Sequence, residues 1–254
     1  MSQTQQQTAE SSRIPTPGIT APASSASDSA FDEIRQHMVD DQVRPVEVSD
    51  PRIILAMRTL PRERAIPAAE RDFAYADRTL PLGDGRWLMQ PMTTARLVQS
   101  ARIAAGERVL VVAAGTGYLA SIVASLEAHV IALESDAELV RQGHAYTDQV
   151  TPGVIWHQGP LADGAPENAP FDVILFDGAI RNIPAFCIAQ LAAGGRVAGM
   201  LNKAGICSAF IAEPDRTGQA DSTTTTFEGW ATRLSFDAPA PLIGELLPAP
   251  AFAF

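Results

Sequence analysis

The sequence predicts an α/β fold with a doubly wound, mostly parallel sheet, preceded by a helical segment and followed by an antiparallel addition. Two short apolar runs carry this prediction, Val109–Val112 and His129–Glu134, because buried parallel strands have such unbroken, β-branched sequences. Between them, Leu119–Leu126 has the apolar spacing of a helix. Strand, turn, helix and strand in this order form half of a doubly wound sheet.

A glycine-rich turn between the first strand and its helix predicts a nucleotide-type pocket. Gly115 and Gly117 allow a tight turn and a close approach of the backbone to a ligand, where a Cβ would collide. Glu134 closes the second strand with a carboxylate that can accept hydrogen bonds from both hydroxyls of an adenosine ribose. The alternative is a tight connection and a surface acid without a ligand, but the position between two strands favours the pocket.

The remaining elements follow in order along the chain. Apolar spacing predicts helices over Phe31–Val39, over Pro51–Met57 with an acid or hydroxyl cap, over Pro91–Ile103 and over Ala137–Val150. Further strands are expected at Val154–Gln158, Phe171–Ala179 and Ala193–Met200, with a helix over 183–191 between the last two. Alternating or β-branched segments then predict an antiparallel edge from Ser208–Ala212, Thr223–Thr226 and Ala231–Ala238.

Four regions are expected. Residues 1–30, rich in Ser, Thr, Gln, Pro and Ala, predict a disordered tail. Residues 31–90 are expected to form a helical segment with the loop that follows it, 91–200 the α/β core with the nucleotide-type pocket, and 201–254 the antiparallel edge and a proline-rich irregular end. Phe252 and Phe254 are expected to pack against the body. No residues remain for the second nucleotide-type unit of a dehydrogenase, although Gly115–Ala120 also satisfies a dinucleotide pattern.

Composition disfavours several classes of function. A net charge of −10 argues against nucleic acid or an anionic membrane as partner, because phosphate binding needs a concentrated basic face. We find no bilayer-length apolar run and no secretory signal, so the cytoplasm is expected. Cys187 and Cys207 make neither a disulfide framework nor a metal site, and both are expected to be small apolar residues.

Short motifs in the first third of the chain resemble the N-terminal region of protein-L-isoaspartate O-methyltransferases. They are His37–Val39, Gln42, Asp50–Met57, Leu60–Glu63, Ala74–Asp77 and Leu80–Gly83, in family order and at similar spacing. The resemblance extends from about Phe31 to about Met200. It implies S-adenosylmethionine as cofactor, a damaged protein or peptide with an isoaspartyl residue as substrate, and no metal. The oligomeric state stays open.

The resemblance also implies the site. The expected cofactor-binding residues are Ala113, Ala114, Gly115, Gly117, Glu134, Ser135, Pro160, Leu161 and Asp177. For Asp177, a simple turn acid is the alternative, and His157 is expected to be structural. The substrate loop is Met89, Gln90 and Pro91, and Thr93 is the candidate for a catalytic hydroxyl, unless Thr93 and Thr94 only fill the first turn of a helix.

Four positions depart from the family pattern. Met89 stands where a serine faces the target carboxylate, Val111 and Pro160 replace acids, and Ala113 replaces a glycine. A carboxylate acceptor is already ionised and needs no general base, so the lost serine is a positioning contact worth about 1.5–3 kcal/mol. These departures leave two alternatives open: a degenerate relative with a binding or regulatory role, and a methyltransferase with another acceptor.

Overall fold

One mostly parallel sheet organises the chain in the computed structural model, which describes residues 26–215, 225–227 and 229–247. The described strands are β1 Leu80–Gly83 and β2 Arg86–Leu88, which form a separate hairpin, and β3 Arg108–Val112, β4 His129–Glu134, β5 Ile155–Gln158, β6 Phe171–Ile180, β7 Leu191–Lys203, β8 Ile206–Pro214, β9 Thr225–Phe227 and β10 Trp230–Asp237, which form the main sheet. The α-helices are α1 Ala26–Met38, α2 Pro51–Thr59, α3 Pro91–Ala101, α4 Tyr118–Ala124, α5 Ala137–Val150 and α6 Phe186–Gln190. Short 3-10 or π segments include Arg62–Arg64, Leu161–Asp163 and Gly244–Leu246.

Eight strands form the main sheet in the order β5–β4–β3–β6–β7–β8–β10–β9. The pairs from β5 to β7 are parallel, whereas β8, β9 and β10 pair antiparallel. The predicted doubly wound core with its antiparallel addition is therefore confirmed. Because the chain leaves β3 towards β5 and then returns to β6 on the other side of β3, the strand order reverses between β3 and β6. Ligands of such sheets bind at this reversal, beyond the carboxyl ends of the strands.

Both faces of the parallel core are covered. Val109 and Val111 belong to one buried cluster, and Leu110 and Val112 belong to the other. Since successive strand residues point to opposite faces, a strand buried on both faces needs an unbroken apolar run. This explains the sequence pattern that predicts β3.

Several helix ends differ from the prediction. Helix α1 begins at Ala26, so the expectation of a tail to residue 30 was wrong for its last five residues, and residues 1–25 lie outside the described part. Too few apolar residues stand before Phe31 to mark this start by periodicity. Helix α3 ends at Ala101, not Ile103, because Arg102 has a left-handed φ of 50°. Helix α6 is shorter than the predicted 183–191.

The hairpin β1–β2 was missed and matters most for the site. Asp84 and Gly85 connect its strands with φ values of 46° and 74°. Positive φ at both central residues is the requirement of the tight hairpin turn that Asp-Gly favours. The hairpin brings Leu82 to the glycine turn after β3 and Arg86 to the end of β4.

The chain after β10 returns to the end of β6. The Ala179 amide donates to the Pro241 carbonyl over 2.7 Å, and the Ile243 amide donates to the Ala179 carbonyl over 2.9 Å. This segment was predicted as irregular, which it is, but it is packed against the core. Of the other predicted features, Thr223, Thr224, Phe252 and Phe254 lie outside the described residues.

Candidate functional site

The residues predicted for the pocket come together where the strand order reverses. The turn after β3 contains Gly115 and Gly117, β4 ends in Glu134, and Asp177 lies near the end of β6. The Gly115 amide donates to Glu134 Oε2 over 2.9 Å, which joins the turn to the acid directly. Ala113 and Ala114 are buried in the same turn.

The space beside the glycines is already occupied by the chain's own side chains. A Cβ added to Gly115, which has a φ of 55°, would lie 2.8 Å from Leu82 Cδ1. A Cβ on Gly117, with a φ of 84°, would lie 2.9 Å from both Thr147 Cγ2 and Trp156 Cζ2. Both positions therefore require glycine for internal packing, whether or not a ligand binds.

The Glu134 carboxylate is fully buried and its hydrogen-bonding capacity is used. Arg86 binds it with two donors, Nε to Oε2 at 3.0 Å and Nη2 to Oε1 at 2.9 Å. The amides of Gly115, Ser135 and Asp136 donate to it at 2.9, 2.8 and 3.2 Å. Because a carboxylate has about four acceptor positions, none is left for the two hydroxyls of a ribose.

Arg86 also links this acid to the end of the described chain. Its Nη2 donates to Glu245 Oε1 over 2.5 Å and to Ser135 Oγ over 2.9 Å, and the Ser135 hydroxyl donates to Glu245 over 2.7 Å. Burial alone would lower the pKa of Arg86, but the two carboxylates outweigh it, so the pKa is raised. Burial acts to raise the pKa of Glu245, but the bonds from Arg86 and Ser135 outweigh it, so this pKa is lowered.

Asp177 is a buried acid with a raised pKa. Burial raises its pKa to about 8; Glu134 acts in the same direction, while Arg62 and Arg86 oppose it. The next residue, Gly178, packs closely against Ile243. A Cβ added to Gly178 would lie 2.8 Å from Ile243 Cγ1.

The predicted substrate loop is internal. Met89 is fully buried, and its carbonyl accepts a hydrogen bond of 2.6 Å from Arg62 Nη2. Thr93 is also fully buried, and its hydroxyl donates to Gln90 Oε1 over 3.3 Å. Pro91 begins helix α3. The Thr93 hydroxyl is thus engaged within the first turn of the helix.

Arg62 was missed by the sequence analysis. This fully buried side chain donates to the Ala74 carbonyl over 2.7 Å as well as to Met89, and its guanidinium lies 5.0 Å from the centre of the Tyr118 ring. Burial lowers its pKa. It fixes the substrate loop to the helical segment and to α4. The sequence Leu60–Glu63 marks a motif but gives no signal for burial.

The other residues considered in the sequence analysis lie among other parts of the chain, as follows. Pro160 and Leu161 lie in the turn after β5, with Leu161 buried, and the Leu161–Asp163 segment packs against Gly244–Leu246. His157 Nδ1 lies 2.6 Å from Glu167 Oε1. Cys187 is buried and Cys207 is partly buried, and both are free thiols.

Two kinds of feature are missing from the described part of the chain. No helix there has the length and apolar character needed to cross a membrane. Among the described residues, no group of three or more His, Cys, Asp or Glu side chains could hold a metal ion.

The residue types at Gly115, Gly117 and Glu134 fit an adenosine ligand, but in the described arrangement Leu82 lies against Gly115, and Arg86 and backbone amides take the acceptor positions of Glu134. Leu82, Arg86 and the segment around Ile243 fill the space at the ends of β3, β4 and β6. A cavity of about 370 Å³ is lined by Thr116 of this turn, but neither glycine nor Glu134 lines it. A ligand at Glu134 therefore requires Arg86 to move.

Known proteins resemble this chain over most of its length. A family model described as Protein-L-isoaspartate(D-aspartate) O-methyltransferase matches residues 33–212. A protein-L-isoaspartate O-methyltransferase of Koribacter versatilis is 37% identical over 164 residues, which are 64% of this chain and 74% of that protein. Protein-L-isoaspartate O-methyltransferase 1 of Rhodopseudomonas palustris is 34% identical over 181 residues, which are 71% of this chain and 74% of that protein.

Two solved structures support the fold. A protein-L-isoaspartate O-methyltransferase superposes with a TM-score of 0.66 at 21% identity, covering 85% of this chain and 67% of its own. A Plasmodium falciparum protein assigned to the same activity, solved in complex with S-adenosyl-L-homocysteine, gives a TM-score of 0.63 at 17% identity, covering 84% of this chain and 97% of its own.

Proposed function

Because the chain belongs to the protein-L-isoaspartate(D-aspartate) O-methyltransferase family, we propose that it methylates the carboxylate of isoaspartyl residues in damaged proteins. The methyl donor in this proposal is S-adenosyl-L-methionine, which supplies an electrophilic methyl group on a sulfonium when bound. The family match spans the helical segment, the parallel core and most of β8. It therefore includes both the glycine turn and the substrate loop.

The single observation that carries the proposal is the bond between the Gly115 amide and Glu134 at the reversal of strand order. In this position a backbone that approaches closely and a fixed carboxylate are suited to the ribose of an adenosine. Around them lie the other residues that we propose for cofactor contact: Ala113, Ala114, Gly117, Ser135, Pro160, Leu161 and Asp177. Their use requires a conformation in which Arg86 has left Glu134.

On the acceptor side, the chain has to position a group that is already reactive. The isoaspartyl carboxylate is ionised at neutral pH, so a general base is unnecessary, and alignment and exclusion of water remain as tasks. Arg62 supports alignment because it holds the Met89 backbone. We propose a protein or peptide acceptor in the cytoplasm, and not a nucleic acid, since the chain's net charge is −10.

The test is methyl transfer from labelled S-adenosylmethionine to an isoaspartyl peptide. The matched control is the same peptide with a normal aspartyl residue, which has the same composition and charge. We expect label in the isoaspartyl peptide only. Equal labelling of both peptides, or no label in either, would contradict the proposed acceptor.

A second candidate is a catalytically degenerate relative that acts as a binding or regulatory protein for another partner and does not use the methyl donor. The specific observation in its favour is the Glu134 carboxylate, whose acceptor positions are taken by Arg86 and by backbone amides. Calorimetry with S-adenosylhomocysteine separates the candidates. A folded chain that gives no heat of binding, even after Arg86 is replaced, supports the second candidate.

A further inference from the structure

A short C-terminal segment lies across the ligand end of the sheet. This segment, residues 239–247, is called the strap. Two backbone bonds hold it to β6, from the Ala179 amide to Pro241 and from the Ile243 amide to the Ala179 carbonyl. Ile243 is buried and supplies its apolar anchor against Gly178.

The strap covers two parts of the proposed cofactor site. Its Gly244–Leu246 turn packs against Leu161–Asp163, the turn expected to border the adenine. Its Glu245 reaches Arg86 and Ser135 beside the ribose acid. The strap therefore lies where a bound adenosine would need space, at both the base and the sugar.

Glu245 also orients Arg86. The Arg86 guanidinium lies between two carboxylates, with Nη2 2.9 Å from Glu134 Oε1 and 2.5 Å from Glu245 Oε1. Bonds between ionised partners are stronger than neutral ones and fix direction. The strap thus keeps the Arg86 guanidinium paired with the Glu134 carboxylate. The two hydroxyls of a ribose have to displace this ion pair to reach Glu134.

We infer that the strap is an autoinhibitory latch that competes with S-adenosylmethionine for the space at Glu134. This inference rests on the proposed function. Binding of the cofactor requires Glu245 and Arg86 to separate from the ribose acid and the strap to leave Ala179.

The attachment of the strap suits a segment that opens locally. Its only regular element is a three-residue turn, and the Glu245 side chain is 45% exposed. Segments with few buried apolar contacts open at a smaller free-energy cost than the core strands. Opening therefore leaves the sheet intact, because β6 keeps its pairing with β3 and β7.

The first experiment compares affinities for S-adenosylhomocysteine by calorimetry on the full chain. Glu245→Ala removes the bonds to Arg86 and Ser135, and we expect about two- to fivefold tighter binding, the range for a partly exposed ion pair. The matched control is Glu213→Ala, because Glu213 makes an exposed ion pair with Arg233 on the antiparallel edge. The control should bind like the parent chain.

The outcomes of this comparison are distinct. Tighter binding by Glu245→Ala alone supports the latch. Equal affinities for parent and variant overturn the latch and leave the proposed function standing. No binding by the parent, by Glu245→Ala or by Arg86→Gln overturns the latch and the proposed function together.

The second experiment follows the strap itself by amide hydrogen exchange. The Ala179 amide donates to the Pro241 carbonyl and the Ile243 amide donates to the Ala179 carbonyl, so both amides are bonded between the strap and β6. We expect saturating S-adenosylhomocysteine to speed their exchange, while amides shared by β3 and β4 keep their protection. If the ligand binds and both amides remain protected, the strap does not open and the latch is overturned.

Discussion

The cofactor side and the acceptor side of the site are obstructed in different ways. On the proposed cofactor side, the Gly115 amide donates to Glu134, but Leu82 and Arg86 occupy the space beside them. On the acceptor side the backbone is held in place, but Met89 lacks the hydroxyl of the family pattern. The first obstruction is conformational and can be reversed by movement. The second is chemical and can be reversed only by substitution.

The largest expected effect tests the buried ion pair on the cofactor side. Glu134→Gln leaves the Arg86 guanidinium buried beside a neutral amide, with the half-exposed Glu245 as its remaining carboxylate. We expect a loss of about 3–5 kcal/mol in the free energy of unfolding, the usual cost of breaking a buried pair. Urea unfolding measures this loss.

The control for that prediction is the double variant Glu134→Gln, Arg86→Gln. Removing both charges leaves no buried cation beside a neutral amide, so the double variant should be more stable than Glu134→Gln alone. If the double variant instead loses the sum of the two single effects, the pair is not coupled.

The next effect concerns the pH dependence of stability through Asp177. An unfolded aspartate titrates near pH 4, whereas burial raises the folded pKa to about 8. Between these values the folded chain binds one more proton, so the free energy of unfolding contributed by this group falls as pH rises. Asp177→Asn removes this pH-dependent loss of stability, because an asparagine side chain does not titrate.

The variant should therefore be more stable than the parent at about pH 8, by on the order of a few kcal/mol, and similar to it at about pH 4. Urea unfolding across this range measures the difference. Asp163→Asn, at an exposed position, is the control. A stability difference that does not grow with pH would show that Asp177 is ionised in the folded chain.

On the acceptor side, Met89→Ser restores the family hydroxyl. A hydrogen bond to a charged group contributes about 1.5–3 kcal/mol, so we expect turnover of isoaspartyl peptide to rise roughly ten- to a hundredfold. Met89→Ala is the control, because it removes the same buried side chain without adding a hydroxyl. A similar rise in both variants would assign the effect to space and not to the hydrogen bond.

The smallest effect tests backbone strain in the turn. Ala113 has a φ of 60°, a left-handed conformation that disfavours residues with a Cβ. Ala113→Gly should stabilise the chain by about 1 kcal/mol, after subtraction of the entropy of glycine in the unfolded state. Thermal unfolding measures this gain in stability. A variant that is less stable than the parent chain would contradict backbone strain at Ala113.

Features specified by local sequence were predictable. The apolar runs of β3 and β4 and the cap and periodicity of α5 determine these elements within a few residues, and the predicted 137–150 coincides with α5. The pocket residues could be grouped because the carboxyl ends of neighbouring parallel strands share one edge of the sheet.

The obstruction of the site was not predictable, because it depends on contacts between distant residues. Arg86 meets Glu134 across 48 positions and Glu245 across 159. No local pattern specifies such partners, since tertiary packing selects them. The Asp84-Gly85 turn was the one local signal that could have located the hairpin and its arginine.

The central claim is that Gly115 and Glu134 form a methyl-donor site that the chain closes with its own Arg86. The most direct test is calorimetry of S-adenosylhomocysteine binding to Arg86→Gln, after circular dichroism has shown that the variant is folded. The claim predicts binding at least about tenfold tighter than to the parent chain, because a charge-assisted contact no longer has to be displaced. A folded Arg86→Gln chain that gives no heat of binding would contradict it.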